Sequence, residues 1–261
     1  MLAGNVAVAL SGGNLNITGD DSANIIAVQQ NANGSWQITG AATQVNGSTK
    51  PLAVTGVTGS VTINLNGGND VLTMVAGKVP GHLTILGGAG SDATTLTNLQ
   101  IGTFLHFEGN AGNDTLAINN VHVSDPTFAF FSTIDMGDGN DVVALNNFID
   151  QDVEVTLGNG NDVLAISNAT YLGGPFQRLR INAGGGTDSV ALTNVATGPL
   201  FVDMGPGNLD SLALVKVTAD TGTFLDTSGT NGIISGVANN IGTQTIDPNF
   251  THRSGDLVNN T

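Results

Sequence analysis

Residues 158–166 read GNGNDVLAI, a glycine-rich turn that ends in an Asp and continues into alternating apolar residues. The same turn recurs seven times, and aligning the copies on the Asp gives spacings of 22, 22, 27, 21, 26 and 22 residues. The aligned residues, which we call the Asp column, are Asp70, Asp92, Asp114, Asp141, Asp162, Asp188 and Asp210. Positions are numbered from this Asp, so position −2 lies two residues before it. Self-similarity at such a period indicates a repeat architecture.

The residues on both sides of the turn alternate in polarity. Positions −9, −7 and −5 are mostly apolar, as in Val153, Val155 and Leu157, and so are positions +2 and +4, as in Leu164 and Ile166. Alternation with period two predicts a strand before the turn and another after it. The residue at position +3 is mostly small, since five of the seven copies have Ala there.

A second column, which we call the Asn column, occupies position +6. Its five members are Asn98, Asn120, Asn147, Asn168 and Asn194. Asn tolerates tight bends and can bond to its counterpart one coil away, so we expect a stacked ladder at a corner. Asp and Asn columns that keep register through seven copies favour a parallel β-solenoid over an antiparallel sandwich. The sequence therefore predicts an all-β protein, a parallel β-solenoid of about seven coils of ~22 residues each.

The repeats divide the chain into three parts. Residues 57–220 carry the solenoid repeats. Residues 1–56 alternate without the Gly-Asp turn, and we expect them to form an N-terminal β cap or irregular first coils. Residues 221–261 also lose the turn and are expected to form a last coil and a tail.

Composition excludes several classes of protein. The 261 residues include 37 Gly, 30 Asn and 19 Asp but only two Glu, a mixture that disfavours helices. The net charge of −15 argues against a nucleic-acid partner, and the sequence contains no run of eighteen apolar residues that could span a membrane. Zero cysteines exclude disulfides and thiolate zinc sites. Residues 1–6 lack the features of a signal peptide, so we expect a cytosolic chain or one whose leader has been removed.

The Asp column is the candidate metal site. Stacking places its seven carboxylates in one row, roughly 5 Å apart. Two such charges repel by about 3 kcal/mol at an effective dielectric constant near 20, and a divalent cation between neighbouring turns would relieve the repulsion. Calcium fits, because it binds six to eight oxygens and glycines let turn carbonyls face inward. The alternative is that each Asp caps its turn by bonding to loop amides, with neighbouring side chains fanned into water.

The turns resemble the haemolysin-type (RTX) calcium-binding repeat. Residues 87–92, GGAGSD, match its GGxGxD core, and residues 137–143 and 158–164 match its GxGxDxU part, where U is apolar. This resemblance covers about residues 61–216 and implies a secreted bacterial β-roll that binds calcium between coils. The family repeats every nine residues and has two such turns per coil, whereas this sequence has one turn per coil of about 22 residues. In this respect the layout is similar to long-repeat surface proteins of planctomycete-type bacteria.

The outward column at position −8 is the strongest candidate for catalysis. It reads Thr62, Thr84, His106, Thr133, Glu154, Arg180 and Phe201. Glu154 and Arg180 lie on adjacent coils, which predicts an ordinary cross-strand ion pair, and His106 is two coils from Glu154. The sequence contains no HExxH, GxSxG or P-loop motif. We therefore expect no enzyme, no catalytic residue and no organic cofactor.

Two insertions carry aromatic residues, namely Phe128, Phe130, Phe131, Tyr171 and Phe176. We expect them to fold back over the edge of the core, and the alternative is an exposed patch that contacts another protomer.

These observations predict a secreted, extracellular structural protein of a bacterial surface, matrix or fibre, stiffened by calcium. The strand expected at residues 5–10 and the open last coil predict head-to-tail contact with further copies of itself. The alternative function is a carbohydrate-binding adhesin or a polysaccharide-degrading enzyme on the same scaffold, with surface glycans as partners.

Overall fold

The computed structural model describes residues 4–125, 130–171, 177–207, 209–226 and 232–255. These residues form β-strands and turns without a helix. The six N-terminal strands are β1 (Gly4–Ser11), β2 (Asn14–Thr18), β3 (Ile25–Gln30), β4 (Trp36–Gly40), β5 (Thr43–Val45) and β6 (Leu52–Val54).

From β7 onward the chain alternates between two parallel sheets. The long-strand sheet continues from β3 through β8 (Val71–Val79), β10 (Ala93–Ile101), β12 (Thr115–Val123), β14 (Val142–Asp150), β16 (Val163–Tyr171), β18 (Ser189–Thr197), β20 (Ser211–Val215), β22 (Gly232–Val237) and β24 (Phe250–Gly255). The short-strand sheet continues from β2 through β7 (Val61–Asn64), β9 (Leu83–Ala89), β11 (Leu105–Ala111), β13 (Ser132–Asp135), β15 (Val153–Thr156), β17 (Leu179–Asn182), β19 (Pro199–Asp203), β21 (Thr218–Leu225) and β23 (Asn240–Ile246). This arrangement confirms the predicted parallel β-solenoid of about 22 residues per turn.

The solenoid has about eight coils, one more than the Gly-Asp turns predict. The reason is that both flanking segments join the stack. β2 and β3 already pair in parallel with β7 and β8, and β21 to β24 continue the pairing to Gly255. Antiparallel pairs of β1 with β2, and of β4 with β3 and β6, occur only in the N-terminal segment of the described chain.

The core lies between the two sheets. Apolar residues at positions +2 and +4 of the long strands, such as Leu164 and Ile166, face those at positions −9, −7 and −5, such as Val155 and Leu157. All four side chains are almost completely buried, as alternation along the strands requires. The N-terminal segment adds Trp36, which is fully buried. The apolar pattern therefore places a single continuous core along the solenoid.

The turn before each Asp stacks as tightly as the strands do. Gly160 at position −2 has a φ of 148°, and a Cβ there would overlap the carbonyl oxygen of Gly139 in the preceding coil. Only glycine combines this backbone angle with such a close approach. The glycine column therefore keeps the turns in contact and holds the Asp column in register.

Candidate functional site: a buried carboxylate ladder

Each member of the Asp column lies at the junction between a glycine turn and a long strand. Because position +1 faces outward and position +2 faces the core, position 0 also faces the core. All seven side chains are buried, with at most 4% exposed. The structure thus brings the seven predicted residues into one row, and their side chains face the core and not the solvent.

One oxygen of each carboxylate bonds to the neighbouring coil. Oδ1 of Asp162 accepts the backbone N–H of Asp141 at 2.7 Å, and Oδ1 of Asp141 accepts that of Asp114 at 2.7 Å. The other bonds of this kind join Asp70 to Asp92, Asp92 to Asp114, Asp162 to Asp188 and Asp188 to Asp210, at 2.8 to 2.9 Å. The Asp column is therefore a ladder that ties each coil to the next through main-chain donors.

The second oxygen has no such partner. Oδ2 of every member is buried without a hydrogen bond to any described residue. The pKa of Asp92, Asp141 and Asp188 is raised to about 7, mainly by burial and to a smaller extent by the neighbouring carboxylates, against the lowering effect of the backbone bond. Burial also raises the pKa of Asp70 to about 6 and raises those of Asp114, Asp162 and Asp210. The ladder thus carries a file of oxygens that need either a proton or a cation.

Both ends of the ladder depart from the sequence column. At the N-terminal end, Asn24 stands in register with Asp70 and donates its backbone N–H to Asp70 Oδ1 at 2.6 Å. At the other end Gly232 occupies the register position of Asp210, and the fully buried Asp226 carboxylate lies against Gly232. Burial raises the pKa of Asp226, and Asp210 raises it further. Asp226 therefore supplies a carboxylate from another sequence position, which alignment on the turn does not reveal.

The Asn column forms a ladder of a different kind on the outside of the corner. Asn120 Nδ2 donates to Asn98 Oδ1 at 2.6 Å, and Asn147 Nδ2 donates to Asn120 Oδ1 at 2.9 Å. The five backbones lie at φ of 50 to 55°, in the left-handed region that Asn tolerates. The predicted stacked corner is confirmed, and Asn194 Nδ2 donates to Asn168 Oδ1 at 2.9 Å in the same way. Asn168 Nδ2, however, donates to Asn146 Oδ1 at 3.0 Å, so the ladder passes through position +5 of that coil.

The ladder offers limited but suitable donors for a metal. The described residues contain no group of three or more His, Asp or Glu side chains that could hold one ion. An ion on the ladder would therefore contact at most two successive carboxylates and take its remaining oxygens from main-chain carbonyls or water. The free Oδ2 atoms fit this demand, because calcium accepts carboxylate, carbonyl and water oxygens together.

Outside the ladder, a buried carboxylate lies at a position where the sequence analysis predicts no polar site. Asp150 is 5% exposed and stands in register with Tyr171, at a position where other coils have Val79 or Ile101. Burial raises the pKa of Asp150 to about 7, despite the opposing effect of hydrogen bonds from Ser132 and neighbouring amides. The Tyr171 hydroxyl is fully buried without a hydrogen-bond partner among the described residues. The sequence signal that could have revealed this site is a polar residue, Asp150, at a position where other coils have apolar residues.

The outward column at position −8 contains local polar pairs. Arg180 Nε lies 3.7 Å from Glu154 Oε1, which confirms the predicted cross-strand pair. His106 contacts Thr133 Oγ1 through Nδ1 at 2.6 Å and Glu108 Oε1 through Nε2 at 2.9 Å. Thr133 stands between His106 and Glu154 in the register, so those two ionisable groups do not meet.

The aromatic residues of the insertions separate into two groups. Tyr171 is fully buried and meets Phe148 edge to face at 6.2 Å, as a core residue. Phe130 and Phe131 are 54% and 42% exposed. Phe130 also extends a row in which Phe104 stacks on His82, with ring centroids 5.4 and 4.8 Å apart. Phe128 and Phe176 lie outside the described residues.

Comparison with protein-family models, with characterised proteins and with solved structures gave no match. The fold and its ladders therefore define the class, a β-solenoid repeat protein. Among the described residues there is no helix long and apolar enough to cross a membrane.

Proposed function

We propose that this chain is a secreted structural protein, a β-solenoid of a bacterial surface or extracellular matrix that calcium stiffens. The observation that carries the proposal is the Asp column, which supplies one buried oxygen per coil without a partner in the described structure. An uncompensated buried charge is strongly destabilising. A cation bound between coils compensates two carboxylates at once and links the coils that supply them.

Calcium is the cation that suits these donors. The ladder presents only oxygen ligands, and no cysteine is present anywhere in the sequence. Hard oxygen ligands in a flexible number favour calcium over zinc or copper. The likeness of residues 87–92 and 158–164 to haemolysin-type repeats supports the same ion and an extracellular location. The layout similar to planctomycete-type surface proteins supports a place on the cell surface or in the matrix.

The test is thermal unfolding in calcium and in chelator. Calcium should raise the melting temperature, because an ion that binds the folded state stabilises it. The double variant Asp141→Asn with Asp162→Asn, in the middle of the ladder, should lose most of that rise. The control is Asp138→Asn, which removes a charge from an exposed residue of the same turn and should keep the full response. Identical melting of the wild type in calcium and chelator would refute the calcium proposal.

Head-to-tail assembly is part of the same proposal. In the described residues β23 and β24 each pair on one side, which leaves the last coil with an open edge. At the other end, Ala7–Ser11 of β1 pair with β2, and the Val8 N–H points away from β2 to Asn46 Oδ1 at 2.7 Å. By alternation the Leu10 N–H also points away from β2.

Leu10→Pro tests this contact, because it removes an outward donor and spares the pairing of β1 with β2. Electron microscopy and light scattering should show fibres of the wild type that the variant does not form. Removing residues 1–12 should have the same effect, although it also removes the buried Val6. A monodisperse wild-type monomer at high concentration with calcium would refute the filament.

A second candidate function, a carbohydrate-binding adhesin, is favoured by the aromatic row of His82, Phe104 and Phe130. Its rings lie on successive coils and Phe130 is exposed, as a platform for a neutral sugar chain requires. Glycan arrays with the wild type and Phe130→Ser test it, and turnover of any polysaccharide in a reducing-end assay would favour the enzyme instead. Binding that Phe130→Ser abolishes, with unchanged melting, would support the adhesin.

A further inference from the structure

The outer surface of the long-strand sheet has an unusual composition. Positions +1, +3 and +5 of its strands face outward, and consecutive strands from β3 to β22 pair in register. We call these outward residues the uncharged face. The column at +1 is Ile25, Val71, Ala93, Thr115, Val142, Val163, Ser189, Ser211 and Ile233; that at +3 is Ala27, Thr73, Thr95, Ala117, Ala144, Ala165, Ala191, Ala213 and Ser235; that at +5 is Gln29, Val75, Thr97, Asn119, Asn146, Ser167, Thr193, Val215 and Val237.

None of these residues on the nine described strands is charged, although the chain carries a net charge of −15. The outward positions of the short-strand sheet, by contrast, include His106, Glu108, Asp135, Glu154, Arg180 and Asp203. Six of the large hydrophobic side chains that the structure leaves exposed lie on the uncharged face: Ile25, Val71, Val142, Val163, Ile233 and Val237, at 37 to 61% exposure. Exposed Val and Ile side chains on one uncharged surface of a protein of this charge indicate an interaction site.

We propose that the uncharged face pairs with the same face of a second copy of this chain. The charge of the chain favours a second copy as the partner. Each copy carries a net charge of −15, and the uncharged face lets two copies meet without bringing carboxylates into contact. The pairing does not depend on calcium, because the face shares no outward residue with the Asp column.

The shape of the face is self-complementary. The column at +1 carries the larger side chains, such as Val142 and Val163, beside a column of Ala at +3, such as Ala144 and Ala165. A two-fold axis parallel to the solenoid and placed between these columns sets +1 of each copy against +3 of the other, as an isologous interface requires. Ridges then enter grooves, which is how two sheets reach the density of a protein interior.

The area is sufficient for a specific contact. Nine strands spaced about 4.8 Å apart, with the two facing columns at +1 and +3 covering about 13 Å along the strands, give a surface of roughly 500 Å². Two copies would bury about 1,000 Å², which is near the lower limit for a specific interface. The dimer should therefore be of moderate affinity, and rising ionic strength should tighten it by screening the net charge of the two copies.

The test places one lysine on each outer surface. Ala165→Lys lies in the middle of the uncharged face, and the matched control Thr156→Lys lies on an outward position of β15 in the opposite sheet. Both variants make the chain less negative, which by itself favours association. Sedimentation velocity over a range of concentration and salt measures the dimer, and melting temperature confirms that both variants fold.

We expect Ala165→Lys to weaken dimerisation by at least about 100-fold, because it buries an unpaired charge, and Thr156→Lys to leave it unchanged or tighter. A wild-type monomer under all conditions would overturn the inference, and so would a dimer that Ala165→Lys does not disturb. Binding of a wild-type monomer to an insoluble neutral polysaccharide, lost in Ala165→Lys, would also overturn it by assigning the face to a glycan.

Discussion

The Asp column and the Asn column come from the same repeat and stack with the same period, yet they solve the problem of stacking differently. An amide carries both a donor and an acceptor, so Asn147 can bond directly to Asn120 one coil away. An ionised carboxylate carries only acceptors, so Asp162 cannot bond to Asp141 and takes the backbone N–H of that residue instead. The amide ladder needs only amide side chains, with Asn146 accepting the bond from Asn168, whereas the carboxylate ladder leaves one oxygen per coil in need of a proton or a cation.

The largest expected effect is a pH dependence of the melting temperature that arises from the Asp column and not from the Asn column. In chelator, the melting temperature should rise on the order of 10 °C between pH 8 and pH 5, because several carboxylates contribute together. The folded-state pKa values of Asp92, Asp141 and Asp188 are raised to about 7, above the ordinary 3.8 of an unfolded chain. Their contribution is thus fully present below pH 3.8 and is lost as the pH rises through 7.

Saturating calcium should flatten this pH dependence, since bound cations replace the protons. A melting temperature that falls from pH 8 to pH 5 in chelator would contradict the raised pKa values. The Asn column has no titrating group and should add nothing to the slope.

The next effect concerns the main-chain bond within the Asp column. At pH 5, Asp141→Ala should lower the free energy of unfolding by about 1–3 kcal/mol, because it leaves the Asp114 N–H without an acceptor. Asp141→Asn keeps an acceptor and should cost less. In chelator at pH 8 the same Asn variant should have a higher free energy of unfolding than the wild type, because it removes a buried charge. Urea unfolding measures both, and equal losses for Ala and Asn at pH 5 would show that the bond contributes nothing.

A smaller loss is expected in the Asn column. Asn147→Ala should lower the free energy of unfolding by about 1 kcal/mol, because it places Ala at a φ of 50° and removes the bond to Asn120. Asn147→Gly loses the bond but tolerates the angle, so its melting temperature should lie between those of Ala and the wild type. A Gly variant as unstable as Ala would assign the effect to the hydrogen bond alone.

The smallest effect is a gain. Ala76 occupies position +6 of its coil with a φ of 50° but has no amide to extend the ladder. Ala76→Asn should raise the free energy of unfolding by about 0.5 kcal/mol, through the backbone preference of Asn and a new bond from Asn98. The double variant Ala76→Asn with Asn98→Ala separates the two contributions by differential scanning calorimetry. No gain in the single variant would show that the ladder is already at its optimum.

The periodic sequence by itself determined the solenoid, the glycine turn and the Asn corner. In a stacked coil the same position meets its own copies, so a column of one residue type directly records a contact between neighbours. This is why the spacing of Asn98, Asn120 and Asn147 alone predicts that they bond to one another. The inward orientation of the Asp column was also available, since Asp162 lies two residues before the buried Leu164. Alternation therefore argued against side chains fanned into water.

Only the tertiary structure decided how the ladder begins and ends and which surfaces remain open. Asn24 precedes the first Gly-Asp turn and Asp226 lies six residues before the register position that it serves, so neither aligns with the repeat. Their places depend on the path of the chain in the first and last coils, where β3 joins β8 and Gly232 leaves room for a neighbouring carboxylate. The uncharged face likewise emerges only when nine strands far apart in sequence stand side by side. Each of these features depends on contacts between distant segments, because local periodicity fixes which way a side chain points but not what it meets.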